Sequence, residues 1–139
     1  QGAIHSMQFA LNDAGMKPSE VQYINTHGTS TGLGDKAESH AVAEVFGDRK
    51  TNPDLFVTST KSMHGHMLGA TGAAEAIACI KAINDNIVPP TINLDNQDEE
   101  VADLNYVPYK AVKAEVHAAL SNSFGFGGQN ASLIFREVK

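Results

Sequence analysis

The start of the chain has the apolar spacing of an α-helix. Apolar side chains recur every three or four residues between residues 3 and 14, which places them on one helical face. Gly15 then predicts the end of the helix, since glycine commonly closes helices. The pattern begins almost at residue 1, without an initiator methionine, which indicates a piece of a longer protein. The apolar stripe comprises Ala3, Ile4, Met7, Ala10, Leu11 and Ala14.

The rest of the chain alternates strand and helix patterns. A helix is predicted over 35–47 with Asp35 as its N-cap, and a second, almost wholly apolar and therefore buried, over 73–85. Residues 88–100 are rich in proline and asparagine and predict a connection. This order predicts an α/β fold with a mainly parallel sheet closed by an antiparallel pair. The predicted strands are 21–25, 55–60, 116–123 and 131–138.

Three glycine-rich polar loops follow predicted strands. They are NTHGTSTG (25–32), KSMHGHMLGATG (61–72) and NSFGFGGQN (122–130). Ligands of open α/β sheets gather at the carboxyl ends of strands, and glycine lets backbone N–H groups approach a ligand closely. The three loops therefore predict one site that contains His27, Lys61, His64 and His66, together with several hydroxyls and the backbone amides around Phe126.

Composition narrows the class of protein. The chain has 139 residues, 42% of them hydrophobic, which suffices for one globular domain. The net charge is −6, and no basic cluster interleaves with aromatic residues, which argues against nucleic acid as a partner. One cysteine, Cys79, fits a reducing compartment. No apolar run approaches the ~20 residues of a membrane helix, and no signal peptide is present, so we expect a cytoplasmic protein.

Simpler interpretations exist for several of these residues. His64 and His66 could share a metal ion, but no thiolate partner is evident. Cys79 lies within a predicted helix and is more typical of a small buried side chain than of a nucleophile. The other histidines are typical of surface or satisfied groups; they are His5, His40 and His117.

Four stretches together carry a family resemblance. They are NTHGTSTGLGDKAE, TSTKSMHGHMLGATGAAEA, VPPTINLDN and SNSFGFGGQNASLIF. They resemble the C-terminal half of a β-ketoacyl-acyl carrier protein synthase, most closely the type II elongating enzyme of bacterial fatty acid synthesis. The resemblance implies a thiolase-like fold of two similar α/β halves, usually in a homodimer. Residues 1–139 would be the C-terminal half without its first strand, and the missing N-terminal half would carry the nucleophilic cysteine.

The resemblance also implies a reaction, a decarboxylative Claisen condensation. Malonyl on an acyl carrier protein loses carbon dioxide, and the carbanion attacks an acyl-cysteine thioester. No cofactor is required, because phosphopantetheine arrives on the carrier protein. His27 and His66 would hydrogen-bond the malonyl thioester carbonyl, and Lys61, paired with Glu75, would tune the local field.

Other residues match the family's substrate contacts. Thr29 and Thr31 would hold the pantetheine arm. The backbone N–H of Phe126 would complete an oxyanion hole and its ring would gate the acyl pocket, with Phe124 beside it. Core packing is the simpler interpretation of both phenylalanines. A monovalent cation (K⁺ or Na⁺) and a buried polar network with water remain alternatives for one further set of oxygen-bearing residues: Asn25, Glu38, Glu75, Ser121 and Asn130.

Three residues depart from the family pattern. Gly32 stands where proline is usual, His64 where threonine is common, and Gln129 where threonine is common. None of these changes removes a catalytic group, but His64 would add a third imidazole near the site.

Two other functions remain open. A polyketide ketosynthase would use the same loops, whereas a non-catalytic partner of the chain-length-factor kind would have lost catalytic residues, and His27 and His66 are both present. A binding module made of this segment alone is disfavoured, because the segment would expose a sheet edge and an apolar face. We expect the segment by itself to lack condensing activity.

Overall fold

A computed structural model describes residues 1–138. Its main sheet has four strands. Strand β1 (Tyr23–Asn25) is parallel to both β2 (Phe56–Thr58) and β5 (Ala118–Phe124), and β5 pairs antiparallel with β6 (Asn130–Arg136). The predicted α/β architecture, mainly parallel with an antiparallel pair, is confirmed.

Helices cover both faces of this sheet. Helix α1 (Gly2–Ala14) and helix α2 (Gly32–Phe46) lie on one face, and α4 (Thr71–Asp85) lies on the other. Side chains alternate along β1, so Ile24 packs with α1 and α2 while Tyr23 packs with α4. Two apolar cores therefore hold the central strand in place.

The predicted first helix is confirmed. Ile4, Met7 and Leu11 form the buried part of its stripe, and Gly15 ends the helix in the left-handed region at φ 63°. Glycine adopts this conformation without the steric penalty that a side chain incurs.

The predicted start of α2 was wrong. The helix begins at Gly32, with Thr31 rather than Asp35 as the N-cap. The Asp35 N–H already donates to the Thr31 carbonyl at 3.1 Å, so Asp35 lies inside the first turn. Its carboxylate instead accepts the Ser30 N–H at 3.2 Å, a position that also suits the positive end of the helix dipole.

The predicted full burial of α4 was also wrong. One face, with Glu75, Cys79 and Ala82, is buried against the sheet. On another face Ile77 is 62% exposed and Ile80 is 42% exposed. Most residues of the helix are apolar, but in residues 1–138 only one of its sides is buried.

Three short elements were not predicted. Strand β3 (Ile87–Val88) pairs antiparallel with β4 (Val112–Lys113) as a separate ribbon, and α3 (Lys61–His64) is a single helical turn after β2. The longest helices over residues 1–138 have 15 residues, and none of them could cross a bilayer.

Candidate active site

The carboxyl ends of three parallel strands meet at one edge of the sheet. β1 ends at Asn25, between β2, which ends at Thr58, and β5, which ends at Phe124. The three glycine-rich loops leave the sheet from these ends. The prediction that they share one location is confirmed.

His27 and His66 come together at this edge. Their ring centroids are 5.6 Å apart, and the rings are nearly perpendicular at 85°. The Phe124 ring lies 6.1 Å from that of His27. Two imidazoles from different loops therefore face the same space, beside an aromatic wall.

Glu38 holds the backbone of the loop that carries His27. Its two carboxylate oxygens accept the backbone N–H groups of His27 and Gly28, both at 2.9 Å, and Asn122 donates a third hydrogen bond at 3.1 Å. Burial raises the pKa of Glu38, and the three donors partly offset that rise. In this structure Glu38 anchors a loop.

The hydrogen bonds of His66 assign its proton. The Leu68 backbone N–H points to Nδ1 of His66 at 3.0 Å, and the Thr71 hydroxyl lies 3.1 Å from the same atom. Because a backbone N–H can only donate, Nδ1 is the acceptor and neutral His66 carries its proton on Nε2. That N–H is then a donor on the opposite edge of the ring.

Lys61 and Glu75 form a buried ion pair. The Lys61 ammonium donates to Glu75 Oε1, and the two side chains are 5% and 0% exposed. Burial raises the pKa of Glu75, while Lys61 acts in the opposite direction. The other oxygen, Glu75 Oε2, has no hydrogen-bond partner among the described residues. The predicted pairing is present.

Lys61 also acts on His27. Burial lowers the pKa of His27 to about 4, with further lowering from the charge of Lys61 and from His66. His27 is therefore neutral near pH 7, as a hydrogen-bonding role requires. Its Nδ1 is buried without a partner among residues 1–138.

The lowered pKa of His27 predicts a loss of stability in acid. As the pH falls from 6.5 to about 4, unfolded chains take up a proton on His27 that folded chains do not. The free energy of unfolding should fall through this window, and by less in a His27→Gln variant. Urea unfolding near pH 7 and again near the lower limit of the window measures the difference, with His5→Gln as the matched control. An identical pH dependence in wild type and His27→Gln would contradict this prediction.

A cavity of about 370 Å³ adjoins these groups, and its lining includes Thr29, Lys61 and His66. The Thr29 and Thr31 hydroxyls lie 3.3 Å apart, but Thr31 lines a neighbouring cavity of about 250 Å³. The two hydroxyls predicted to hold the pantetheine arm are thus adjacent, but they border different cavities.

The two phenylalanines of the glycine-rich turn differ in exposure. Phe124 is half-buried beside His27, whereas the Phe126 side chain is fully exposed. Gly127 and Gly128 both have φ 82°, where a side chain would be strained. The Phe126 ring does not pack into the site in this structure, and its gating role stays a prediction.

The five residues matched to a cation are only partly together. Asn25 and Ser121 are register partners of β1 and β5, and α4 packs Glu75 against these strands. Glu38 lies on α2, which covers the opposite face of the sheet from α4, and its carboxylate binds the loop that carries His27.

Asn130 is also apart from the others. It pairs with Phe124, three residues beyond Ser121 and roughly 10 Å along the strand, and its amide lies against Gly2. Asn130 therefore lies outside the predicted set.

Two residues that hydrogen-bond to the site, Asn122 and Thr60, were not predicted from the sequence. Asn122 donates to Glu38 and accepts from the Ser132 hydroxyl at 2.8 Å. Thr60 receives the side-chain amide of Asn25 at 2.9 Å. The available signal for Asn122 was a polar pair, Ser121 and Asn122, that interrupts a strand. Thr60 gave no such signal.

The comparison with protein families agrees with this geometry. Residues 1–95 match the model described as the β-ketoacyl synthase, C-terminal domain. The chain belongs to the β-ketoacyl synthase family.

Relatives extend the match along the chain. It is 49% identical over 139 residues to 3-oxoacyl-[acyl-carrier-protein] synthase 2 of Synechocystis, covering all of this chain and 33% of that protein. It is 52% identical over 136 residues to the synthase of the same name from Rhizobium meliloti, covering 98% and 31%. The chain thus spans about a third of the length of the curated relatives it matches.

Solved ketoacyl synthases share the fold. A β-ketoacyl synthase from Burkholderia phymatum superposes with a TM-score of 0.91 at 43% identity, over 99% of this chain and 32% of that chain. The ishigamide ketosynthase/chain length factor gives 0.91 at 40% identity, over 98% and 32%. A type II polyketide ketosynthase in complex with its acyl-carrier protein gives 0.90 at 36% identity, over 99% and 33%. The thiolase-like C-terminal fold expected from the sequence is confirmed.

Proposed function

We propose that this chain is the C-terminal part of a 3-oxoacyl-acyl carrier protein synthase that elongates fatty acids. The observation that carries the proposal is the pair of facing imidazoles, His27 and His66, beside a buried Lys61–Glu75 pair. Two curated synthases of this name are 49% and 52% identical to it over nearly its whole length.

The site would act on the malonyl half-reaction. When the malonyl carboxylate leaves as carbon dioxide, the electrons of the broken C–C bond pass to the thioester carbonyl, which becomes an enolate. The Nε2–H of His66 would donate to that oxygen, and neutral His27 would provide a second donor from the facing loop. Donors held in place before charge develops are a major source of rate enhancement.

Carbon–carbon bond formation needs the remainder of the protein. The enolate carbon would attack the carbonyl of an acyl-cysteine thioester, and the cysteine sulfur would leave as thiolate. Cys79 does not supply this sulfur, because it is fully buried and burial raises the pKa of its thiol to about 12. We propose that a cysteine in the preceding part of the parent chain does.

The proposal includes partners and setting. Acyl and malonyl groups would arrive on acyl carrier protein, with the pantetheine arm in the cavity beside Thr29 and His66. The parent would work in the cytoplasm as a homodimer. These statements rest on the family and on the single cysteine.

A monovalent cation is also part of the proposal. Glu38 and Glu75 are both buried carboxylates, Lys61 forms an ion pair only with Glu75 among the described residues, and Glu75 Oε2 has no partner in residues 1–138. A potassium or sodium ion beside that oxygen would offset the excess negative charge, with Asn25 and Ser121 on the adjoining strands as neighbouring oxygen donors.

A second candidate is a polyketide ketosynthase. The superposition on a type II polyketide ketosynthase supports it, at 36% identity. The higher identity of the curated synthases favours fatty acid elongation. A non-catalytic partner subunit is disfavoured, because both histidines are present and face each other.

The test is a condensation assay on the intact protein. Purified enzyme receives an acyl-carrier and a malonyl-carrier, and mass spectrometry follows the carrier-bound product. We expect carbon dioxide release and a product longer by one two-carbon unit. Several successive additions without reduction would support the polyketide alternative. No product from a folded protein whose cysteine accepts the acyl group would contradict both.

A further inference from the structure

His64 links the backbone on either side of α3 through two side-chain hydrogen bonds. Its Nδ1 lies 2.7 Å from the Gly65 carbonyl oxygen, and its Nε2 lies 3.0 Å from the Thr60 hydroxyl. A carbonyl only accepts, so the proton of neutral His64 is on Nδ1. Nε2 therefore accepts the hydroxyl proton of Thr60.

The hydrogen bonds continue into the buried site. Asn25 donates its side-chain N–H to the Thr60 hydroxyl at 2.9 Å. The side-chain oxygen of Asn25 could also accept the hydroxyl proton but lies farther away, at 3.3 Å against 3.0 Å for His64 Nε2. With His64 as the nearer acceptor, the hydroxyl receives one hydrogen bond from Asn25 and gives one to His64. The series of hydrogen bonds runs from Asn25 through Thr60 and His64 to the Gly65 carbonyl. Bonds aligned in one direction polarise and strengthen one another.

This series of hydrogen bonds passes beside the residues of the proposed chemistry. Thr60 immediately precedes Lys61, and Gly65 immediately precedes His66. Asn25 ends β1, two residues before His27. One imidazole therefore connects the three backbone segments that position the facing histidines and the lysine.

The local backbone makes such a link consequential. α3 is a single turn of four residues, closed by hydrogen bonds from Met63 N–H to Thr60 O at 2.9 Å and from Gly65 N–H to Lys61 O at 2.9 Å. A single turn costs most of the conformational entropy of helix nucleation and forms only a few hydrogen bonds. Gly65, at φ 74°, adds a position where the chain can pivot.

We propose that His64 is a positioning residue for malonyl decarboxylation. This role rests on the proposed function. It does not touch the substrate. It sets Lys61 and His66 by tying Thr60 to Gly65 across the turn that joins them.

The experiment uses the intact enzyme and separates two half-reactions. In His64→Ala we expect kcat for condensation to fall roughly tenfold, since small misplacement of catalytic groups is costly. The KM for malonyl-carrier and the rate of acyl transfer to the cysteine should stay near wild type. His64→Gln, whose side-chain oxygen can accept from Thr60, should recover part of the loss. His5→Ala, an exposed histidine on α1, is the matched control.

A double-mutant cycle tests the path through Thr60. Thr60→Val should lose kcat as His64→Ala does, and the double variant should lose little more than the larger single effect, because both break the same link. Thermal melts identify any variant that fails to fold. If His64→Ala fails to fold, kcat is compared between Thr60→Val and His64→Gln, and a larger loss in Thr60→Val supports the role of His64.

Three results would overturn the role of His64. These are full kcat in His64→Ala, an equal loss in both half-reactions, and additive losses in the double variant. A wild-type enzyme that loads its cysteine but never condenses would instead refute the proposed function. The two failures are therefore distinguishable.

Discussion

Replacing His66 by alanine in the intact protein should slow malonyl decarboxylation by about 100-fold or more. The reason is geometric. The Leu68 N–H fixes the acceptor role of Nδ1, so Nε2–H is the donor available to the enolate oxygen. Alanine removes that donor without touching the Lys61–Glu75 pair. Acyl transfer to the cysteine should continue, since it does not involve the malonyl carbonyl.

The measurement pairs two assays on one preparation. Release of labelled carbon dioxide from malonyl-carrier reports decarboxylation, and mass shift of the cysteine peptide reports acyl transfer. His40→Ala is the matched control, because His40 is exposed on α2 and bonds the Glu100 carbonyl at 2.9 Å. Decarboxylation near the wild-type rate in His66→Ala would show that the assigned role is wrong.

Replacing Lys61 by methionine should lower the free energy of unfolding by about 3 kcal/mol. The substitution leaves the Glu75 carboxylate buried without the ammonium group that pairs with it in this structure. The cost should be smaller at acidic pH, because the raised pKa of Glu75 lets the carboxyl become neutral there. The double variant Lys61→Met/Glu75→Gln should recover much of the loss.

Urea unfolding at neutral and acidic pH measures these differences. Lys81→Met is the matched control, since the Lys81–Asp85 pair at 2.8 Å is exposed and such pairs contribute below about 1 kcal/mol. Equal effects of Lys61→Met and Lys81→Met would contradict the buried-pair argument. The same unfolding in potassium and in a bulky organic cation tests the proposed ion, and identical stability in both would argue against it.

Local spacing was enough to predict much of the fold. The stripe of α1 and the left-handed Gly15 depend on neighbours within a few residues, and both are confirmed. The shared location of the three loops followed from strand order alone. The Lys61–Glu75 pair followed from family resemblance, because nothing in the spacing of those two residues indicates contact.

The errors arose where distant segments decide the outcome. Composition predicted that α4 is buried, but which of its faces meets the sheet depends on the strands, so Ile77 is exposed. Asn130 was grouped with Ser121, yet the β5–β6 register places it opposite Phe124. The hydrogen bonds between Asn122 and Glu38 and between Thr60 and His64 could not be predicted, because polar pairs of this kind have no periodic signature in a sequence.

The position of β1 in the sheet has a consequence for folding. Tyr23 pairs with Phe56 on one side and with Ala119, 96 residues later, on the other. Closing so long a loop is entropically costly before any contact repays it, and long-range parallel pairing is slow. During synthesis, His27 and His66 can approach early, but Phe124 and the Asn122 bond to Glu38 must wait for β5. The site is therefore completed only after nearly all of this chain has been made.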